Sequence, residues 1–468
     1  ARDGAARAEA TVDLSSDKSF KRVFPHGRPT PWREALDQAA TLEVPDANFE
    51  FLYRAALRSL ALLSPADVYP GPYTYKRFWF RDAVVMLHAM LCANLREPVD
   101  RALKGFTDRQ RMSGYFHSQS GEWDSNGQVL WLLGRHRDLT GGAPSPDWRN
   151  PVRGGARWIQ RKRVSASSDE PHAGLLPAGF SAEHLGFNDY YYWDDFWSVA
   201  GLREAAGLLD AFGATEDARV FRNEADDLLA AVERSLERSP SARSFESLPA
   251  SPYRRMDSGA VGSLACSYPL CLWKPDDPRV LATLEYLLDR CTVGGMFFLD
   301  MAHSGQNAYL TLWIAEVLLR AGDERFFPLV QAVADAASPT GQWPEAIHPH
   351  TTGGCMGDGQ HGWASAEWVM MARNLFVREE QGTLILASGI PRSWLTPGAA
   401  MSFGPAPTPF GPVTVRVDVD EDAARVRWEA DWRGDPPRIE VRPGGRVATA
   451  EAPAGEARLE LGPESIGE

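Results

Sequence analysis

Ten residues near the middle of the chain, NDYYYWDDFW at positions 188–197, combine six aromatic rings with the carboxylates Asp189, Asp194 and Asp195. A core strand would not carry the acids, and a surface helix would not carry so many rings. The combination suits a pocket for a sugar, whose CH faces stack on aromatic rings while its hydroxyls and glycosidic oxygen need carboxylates.

The same mixture of polar and aromatic residues recurs elsewhere along the chain. Five further clusters carry it: YKRFWFRDA, GEWDSNGQ, YRRMDSGA, MAHSGQNA and GDGQHGWA. Apolar residues three and four apart predict twelve helices over residues 47–377, beginning near residues 47, 80, 97, 126, 146, 192, 215, 256, 277, 304, 324 and 361. Every second predicted helix opens with one of the clusters, whereas the intervening helices have ordinary charged faces.

This alternation predicts the fold class. Helices joined by short loops run antiparallel to their neighbours. If six such hairpins close into a ring, the helices that open with clusters form the inner layer and all start at the same rim. The expected fold is therefore a mainly α, (α/α)6 six-hairpin toroid with every cluster at one end. Helix N-termini there offer free N–H groups to hydroxyls and carboxylates.

The pattern changes near residue 383 to short alternating runs, TLILASG, VTVRVDVD, ARVRWEADW and RIEVRP, separated by Gly and Pro. Such runs predict a small antiparallel β-sandwich. The expected organisation is an N-terminal strap or linker over residues 1–46 with little regular structure, a barrel domain over 47–378 and a C-terminal sandwich over 379–468.

The amino-acid composition excludes some classes of binding partner. A net charge of −13 argues against a nucleic-acid partner, and no apolar run approaches the ~20 residues needed to span a bilayer. Five scattered cysteines favour buried free thiols over a disulfide scaffold or zinc knuckle. With no apolar signal segment visible in residues 1–46, a reducing, cytoplasmic location is expected. Oligomeric state is left open.

Several segments carry a specific resemblance. TYKRFWFRDAVVM, WDDFW, MDSGAVGSLACSYPL, QWPEAIHP and HGWASAEW, in consistent order over about residues 70–375, resemble glucoamylase-type glycoside hydrolases, the family numbered fifteen, and their six-hairpin relatives. GTLILASGIPRSWL similarly resembles the sandwich that follows several of these barrels. The resemblance implies an inverting, exo-acting α-glycosidase that removes a terminal sugar, expected to be glucose, from an oligosaccharide or glycoconjugate without a cofactor.

The resemblance also implies roles for matching residues. Arg81 and Asp82, after Trp79, take the place of a pair that holds the sugar being cleaved. Asp194 aligns with the general acid, with Asp195 in the second, substrate-holding place, and Glu345 in QWPEAIHP takes the place of the general base. Asp stands where the family usually has Glu, which leaves open whether Asp194 or Asp195 reaches the glycosidic oxygen.

The remaining clusters supply further candidates for binding the sugar. These are Trp123, Asp124, Tyr192, Trp193, Gln306, His361 and Trp363. His348 and His350 lie near Glu345 in sequence, but their HPH spacing is a poor zinc signature, so no metal is expected. The glycine-rich run GCMGDGQHG predicts a tightly turned loop that lets backbone approach a ligand.

Other interpretations remain. A phosphorylase on the same barrel would replace activated water by phosphate, and a sugar epimerase or lyase would use His or Tyr for proton transfer at carbon. A non-catalytic glycan-binding module is the third alternative. Asp194 or Asp195 serving merely as a helix cap, and Arg81 with Asp82 as a structural ion pair, are the simpler readings of those residues.

Overall fold

The computed structural model describes residues 31–180, 182, 186–450 and 455–461. The first thirty residues of the predicted strap and the last seven of the predicted sandwich therefore lie outside the described residues. Within the described part, no helix has the length and hydropathy to cross a lipid bilayer.

Helices dominate the chain up to residue 376. In chain order they are α1 (Trp32–Ala35), α2 (Ala47–Leu63), α3 (Phe80–Cys92), α4 (Arg96–Leu103), α5 (Asp124–Thr140), α6 (Arg149–Lys162), α7 (Tyr192–Ala211), α8 (Thr215–Arg238), α9 (Pro240–Phe245), a 3-10 helix (Ser258–Cys266), α10 (Pro278–Arg290), α11 (Ala308–Ala321), α12 (Phe326–Asp335) and α13 (Gly362–Phe376). Each of the twelve predicted starts lies within four residues of an observed one. The short helices α1 and α9 were not predicted.

Six of these elements form a buried set, which we call the inner helices: α3, α5, α7, the 3-10 helix, α11 and α13. Every residue of α3 and α13 is buried. Along this set α3 packs on α5, α5 on α7, α7 on the 3-10 helix, that helix on α11, α11 on α13, and α13 back on α3. The path of contacts therefore returns to its start.

The helices between them are amphipathic and lie outside. In α8, for example, the buried residues Ala218, Phe221, Ala225 and Leu228 recur three and four apart, which gives one apolar stripe. Three of these helices have side-chain caps, in which Asp46, Ser239 and Asp277 accept backbone N–H groups in the first turns of α2, α9 and α10.

Three sheets complete the described chain. Their strands are β1 (Thr41–Glu43), β2 (Thr292–Val293), β3 (Met296–Leu299), β4 (Gly305–Gln306), β5 (Ala346–Ile347), β6 (Gly354–Met356), β7 (Val377–Glu380), β8 (Thr383–Leu386), β9 (Ala400–Ala406), β10 (Val413–Val419), β11 (Ala423–Ala430), β12 (Arg438–Val441), β13 (Ala448–Ala450) and β14 (Gly455–Glu460). The sheet orders are β1-β9-β10-β11-β14, β13-β12-β8-β7 and β2-β3-β4-β5-β6.

Two of these sheets differ from the sequence prediction, one in the C-terminal region and one at the N-terminal segment. The C-terminal region was predicted to be antiparallel throughout, but β12 pairs parallel to β8. Parallel pairing arises because β12 returns from a long excursion through the other sheet, whereas hairpin partners must be antiparallel. The segment before residue 47 is also more regular than predicted, since β1 pairs with β9 at a sheet edge.

The third sheet, β2 to β6, was not predicted. Its strands are two to four residues long and are separated by α11 and α12, so no alternating apolar run marks them in the sequence. It matters because β4 and β5 bring the chain around residues 303 and 345 to the N-terminal ends of the inner helices.

Candidate active site

Glu345 is an acid held by hydrogen bonds at this end of the inner helices. It immediately precedes β5, and its side chain is 5% exposed. One carboxylate oxygen lies 2.6 Å from Nδ1 of His303, and the other accepts the hydroxyl proton of Tyr75 at 2.5 Å. Its backbone oxygen accepts from Nδ2 of Asn307, at the start of α11. Two segments of the chain, around Tyr75 and over residues 303–307, therefore fix the position of Glu345.

These contacts determine its charge. Burial by itself would raise the pKa of Glu345. The hydrogen bond from His303, the neighbouring imidazole of His361 and the hydroxyl of Tyr75 outweigh burial and lower this pKa to about 2. Glu345 is thus a buried carboxylate that stays ionised over the whole ordinary pH range. A buried, ionised carboxylate can accept a proton from a water molecule held against it.

A small pocket lies in front of Glu345. It is lined by Pro70, Tyr75, Trp79, Arg81, Asp82, His303, Tyr309, Glu345, His361 and Trp363. Six of these residues were predicted as site residues: Trp79, Arg81, Asp82, Glu345, His361 and Trp363. The walls mix aromatic rings with charged groups, as the sequence pattern had indicated.

The inner helices deliver these side chains because their first residues face the pocket. Trp79 is the N-cap of α3, with Arg81 and Asp82 in its first turn, and His361 is the N-cap of α13, followed by Trp363. Neither N-cap side chain hydrogen-bonds a backbone amide of its helix. The partial positive charge of both helix ends therefore faces the pocket.

His361 is an uncharged group in this wall. Its ring is fully buried and lies 4.9 Å from the ring centre of Tyr309. Burial, opposed by the charge of Glu345, lowers the pKa of His361 to about 4. The imidazole is consequently neutral at neutral pH and offers a hydrogen-bond donor or acceptor without adding charge.

The glycine-rich loop packs against Tyr75 and Glu345. The Asp358 carboxylate accepts the backbone N–H groups of Tyr73, Thr74 and Tyr75 at 2.8 to 3.3 Å. Gly357 has a φ of 68°, and a Cβ at that position would lie 2.6 Å from the Tyr75 ring. The loop thus holds Tyr75 in contact with Glu345, and glycine is required for the close approach.

Arg81 connects the pocket to an acidic network behind it. Its guanidinium lies 3.2 Å from Glu122 and 3.9 Å from both Asp82 and Asp124. Burial, opposed by the charge of Arg81, raises the pKa of Glu122 to about 7. Asp124 in turn accepts from the indole N–H of Trp193 at 2.8 Å. The network therefore links the first turns of α3, α5 and α7.

Asp194 and Asp195 lie fully buried in the first turn of α7, and neither lines the pocket. Asp195 accepts the backbone N–H of Leu176 at 2.9 Å, and burial raises its pKa to about 8. The charge of Asp194 contributes to raising the pKa of both Tyr115 and Tyr191. Asp194 is thus placed close to the segments that precede α5 and α7, at the same end of the helices as Glu345.

Trp193 joins these acids to the pocket wall. Its ring centre lies 6.3 Å from that of Trp363, which lines the pocket, and 5.7 Å from that of Trp313. Together with its bond to Asp124, this contact places the NDYYYWDDFW segment directly behind the pocket.

Three predicted binding residues lie elsewhere. Tyr192 exchanges a hydrogen bond with Ser235 of the outer helix α8. The indole of Trp123 donates to the backbone of Ala178 and carries the Lys162 ammonium 3.7 Å from its ring centre. Gln306 donates to the backbone of Val293 within the third sheet. Their side chains do not line the pocket, because each is engaged by a neighbouring element.

The sequence prediction of the pocket omitted Tyr75, His303 and Tyr309. Tyr75 and His303 lie inside the clusters TYKRFW and MAHSGQNA, so the signal was present, but nothing in sequence indicates that both side chains meet Glu345. His303 has a φ of 62°. A left-handed conformation at a non-glycine residue is strained and tends to occur at functional sites.

Known structures resemble this chain in fold. No protein-family model matches it, and no curated protein matches it significantly. A bacterial glucoamylase complexed with acarbose superposes with a TM-score of 0.54 over 72% of this chain, at 16% identity. The chain has a glucoamylase-like glycoside hydrolase fold. It covers 57% of that glucoamylase's length.

Two further structures resemble this chain. A glycosidase variant in complex with glucose has a TM-score of 0.51 and 17% identity over 71% of this chain and 99% of its own. A family 78 rhamnosidase of Bacillus sp. GL1 has a TM-score of 0.58 and 16% identity over 86% of this chain and 42% of its own. At such identities these likenesses concern the fold, and the chemistry must be argued from the site.

Proposed function

We propose that the protein is a glycoside hydrolase, an inverting exo-acting α-glycosidase that removes a terminal sugar, with glucose as the first sugar to test. Residues 47–378 form its catalytic domain, an (α/α)6 toroid of six helical hairpins. Residues 379–468 form a C-terminal β domain, and 1–46 lead into the barrel. The path of inner-helix contacts that returns from α13 to α3 supports the toroid.

One observation carries the proposal. Glu345 is buried, ionised and held from both sides by Tyr75 and His303 in a pocket walled by Trp79 and Trp363. Inverting hydrolysis needs such a fixed carboxylate to take a proton from the attacking water. Aromatic walls suit the apolar faces of a sugar ring, and Arg81 with Asp82 suits its hydroxyls.

In the proposed reaction Asp194 protonates the glycosidic oxygen as the bond from that oxygen to the anomeric carbon breaks. A water molecule attacks the anomeric carbon from the opposite face and gives its proton to Glu345. Inversion requires the two carboxyl groups to be about 6.5 to 9.5 Å apart across the sugar. Asp194 is taken as the acid because it occupies the acid position in the resemblance to glucoamylase-type glycoside hydrolases, whereas Asp195 accepts the backbone N–H of Leu176.

The test is an α-glycoside panel followed by proton NMR of the first-formed anomer, run on wild type, Asp194→Asn, Asp195→Asn and Glu345→Gln. We expect a β-anomer from an α-linked substrate, and kcat lower by about 10²- to 10⁴-fold in Asp194→Asn and Glu345→Gln. Full activity in both variants would refute the mechanism. Turnover that requires phosphate would identify a phosphorylase, and binding without turnover a glycan-binding module.

The two histidines in the pocket favour a second candidate, a sugar epimerase or lyase. His303 and His361 both line the pocket, and His361 is neutral, so each could exchange a proton with a carbon atom of the sugar. The discriminating measurement is sugar turnover in D₂O. Deuterium at a ring carbon of the product, retained in Glu345→Gln and lost in His361→Ala, would favour this candidate over hydrolysis.

A further inference from the structure

A second cavity lies at the opposite, C-terminal ends of the inner helices, with a volume of about 330 Å³. Residues from α3, α5, α7, α11 and α13 line it, together with β7 and the loop around Phe410. Four arginines are among the lining residues: Arg135, Arg320, Arg373 and Arg378. None of the residues assigned to the proposed reaction lies here.

Three of the four arginines have carboxylate partners. Arg373 makes a two-pronged ion pair with Glu379, at 2.7 and 2.9 Å. Arg320 pairs with Glu380 at 2.9 Å, and Arg378 lies 3.3 Å from the same carboxylate. Two carboxylates therefore serve three guanidinium groups.

Arg135 is different, because its guanidinium makes no hydrogen bond or ion pair with any residue that the structure describes. The third carboxylate in the lining, Glu204, pairs with Arg137 instead, at 3.3 Å. Burial, followed by the charge of Asp138, raises the pKa of Glu204 to about 7, so its negative charge is incomplete at neutral pH. Burial opposes the charge of Arg135, but the nearby charges of Glu379 and Glu204 outweigh burial and raise its pKa. The lining therefore holds four guanidinium groups and three carboxylates, and Arg135 is the guanidinium whose donors are not taken up by a carboxylate of the described residues.

His88, another polar residue of the lining, adds no negative charge. The ring of His88 lies against Trp131, with Nε2 3.5 Å from the sulfur of Cys92. Burial and the charges of Arg135 and Arg373 hold the pKa of His88 well below its usual range. A neutral imidazole adds one hydrogen-bond donor or acceptor to the lining without adding charge.

We propose that this cavity binds a phosphate group, held by the guanidinium of Arg135, either as free inorganic phosphate or as the phosphate of a small phosphorylated metabolite. The planar fork of arginine donors matches two oxygens of a tetrahedral anion. Both sources present the same dianionic group. The proposal does not depend on the proposed hydrolase activity, since no residue is shared.

The partial negative charge of helix C-termini supplies a competing explanation, in which Arg135 merely balances that charge. The two explanations differ in whether an anion binds. We would titrate inorganic phosphate into the full chain by calorimetry at pH 7 and fixed ionic strength, with chloride as the background anion. Glucose 6-phosphate and glucose are the two further titrants.

Saturable binding of phosphate, weakened at least tenfold in Arg135→Gln and less in Arg135→Lys, would support the proposal. Tighter binding of glucose 6-phosphate than of phosphate would identify a metabolite as the source, and the reverse order free phosphate. Arg157→Gln, which removes an exposed arginine of α6 that pairs with Asp217, is the matched control and should bind normally. Circular dichroism and thermal melting establish that each variant is folded.

Three results would overturn the proposal. The first is that the wild-type protein gives no heat of phosphate binding. The second is that folded Arg135→Gln binds phosphate as tightly as the wild type. The third is that Arg81→Gln no longer binds phosphate whereas Arg135→Gln still does. The last result would place the anion in the pocket of Glu345 instead. Failure of hydrolysis in the glycoside panel would leave this test unaffected.

Discussion

At their N-terminal ends the inner helices meet a group of acids, and at their C-terminal ends they meet a group of arginines. The acids are Asp82, Glu122, Asp124, Asp194, Asp195 and Glu345, around Arg81; the arginines are Arg135, Arg320, Arg373 and Arg378, with their glutamates. The signs follow the helix dipole, which favours anions at N-termini and cations at C-termini. Yet the dipole does not explain the different degree of pairing at the two ends.

At the C-terminal ends of the inner helices, most buried arginines are paired with a glutamate. At the candidate site, several acids surround the single arginine Arg81 and have different pKa values. The pKa of Glu122 is raised to about 7 and that of Asp195 to about 8, while that of Glu345 is lowered to about 2. Titratable groups pushed apart in this way allow one to donate a proton while another accepts it. The difference suggests that one end is arranged for chemistry and the other for stability and, at Arg135, binding.

The largest expected effect compares one arginine from each end. Arg373→Met removes the two-pronged partner of Glu379, whose side chain is only 17% exposed, and should lower the free energy of unfolding by about 3 kcal/mol, the lower end of the range for removing one partner of a buried ion pair. Arg81→Met should cost less, because Glu122, whose pKa is already about 7, can take up a proton and become neutral. Urea unfolding at pH 7 measures both.

Activity per folded molecule should fall more in Arg81→Met than in Arg373→Met, the reverse of the order of their losses of stability. Arg81→Met removes a pocket residue, whereas Arg373→Met leaves the pocket untouched. Equal losses of stability in the two variants, or a loss of activity confined to Arg373→Met, would contradict the division between the two ends.

An intermediate effect concerns the charge of Glu345. Tyr75→Phe removes one of the hydrogen bonds that lower its pKa, so this pKa should rise. A general base works only when ionised, so activity falls as the pH drops through its pKa. The acidic limb of the pH–rate profile should therefore move to higher pH, by about 1 pH unit for the loss of one hydrogen bond to a charged group.

The control for this shift is Tyr286→Phe. Tyr286 lies on the outer helix α10 and donates to the backbone of Met256. That variant should retain the wild-type limb. If the limb stays in place in Tyr75→Phe, Glu345 is not the group whose ionisation limits the rate.

Sequence periodicity predicted the helices well because each has one apolar face or is apolar all round, as in α8 and α13. It also placed Trp79 and Arg81 at one end, whereas Glu345 was assigned to the site by the resemblance to glucoamylase-type glycoside hydrolases. It could not predict the third sheet, whose strands are too short to alternate, or the meeting of His303 with Glu345, which depends on that sheet. Long-range pairing of this kind leaves no local pattern.

Sequence periodicity also could not predict which side chains of a cluster point toward the pocket. Consecutive residues of a helix point about 100° apart, since one turn takes 3.6 residues. The cluster NDYYYWDDFW therefore sends its side chains in several directions. Trp193 reaches Asp124 and Trp363, whereas Tyr192 reaches Ser235 in the outer helix and Asp195 the amide of Leu176.

The smallest expected effect tests this division within one helical turn. Tyr192→Phe loses the hydrogen bond to Ser235, which should lower the free energy of unfolding by about 1 kcal/mol and leave kcat and KM unchanged. Trp193→Phe keeps an aromatic ring but removes the donor to Asp124, and should reduce kcat because Asp124 and Arg81 are then less firmly held. Because the two residues are adjacent in sequence and equally buried, a general disturbance of α7 would affect both alike. A fall in kcat for Tyr192→Phe as large as that for Trp193→Phe would mean that the outward-facing residue also acts on the pocket.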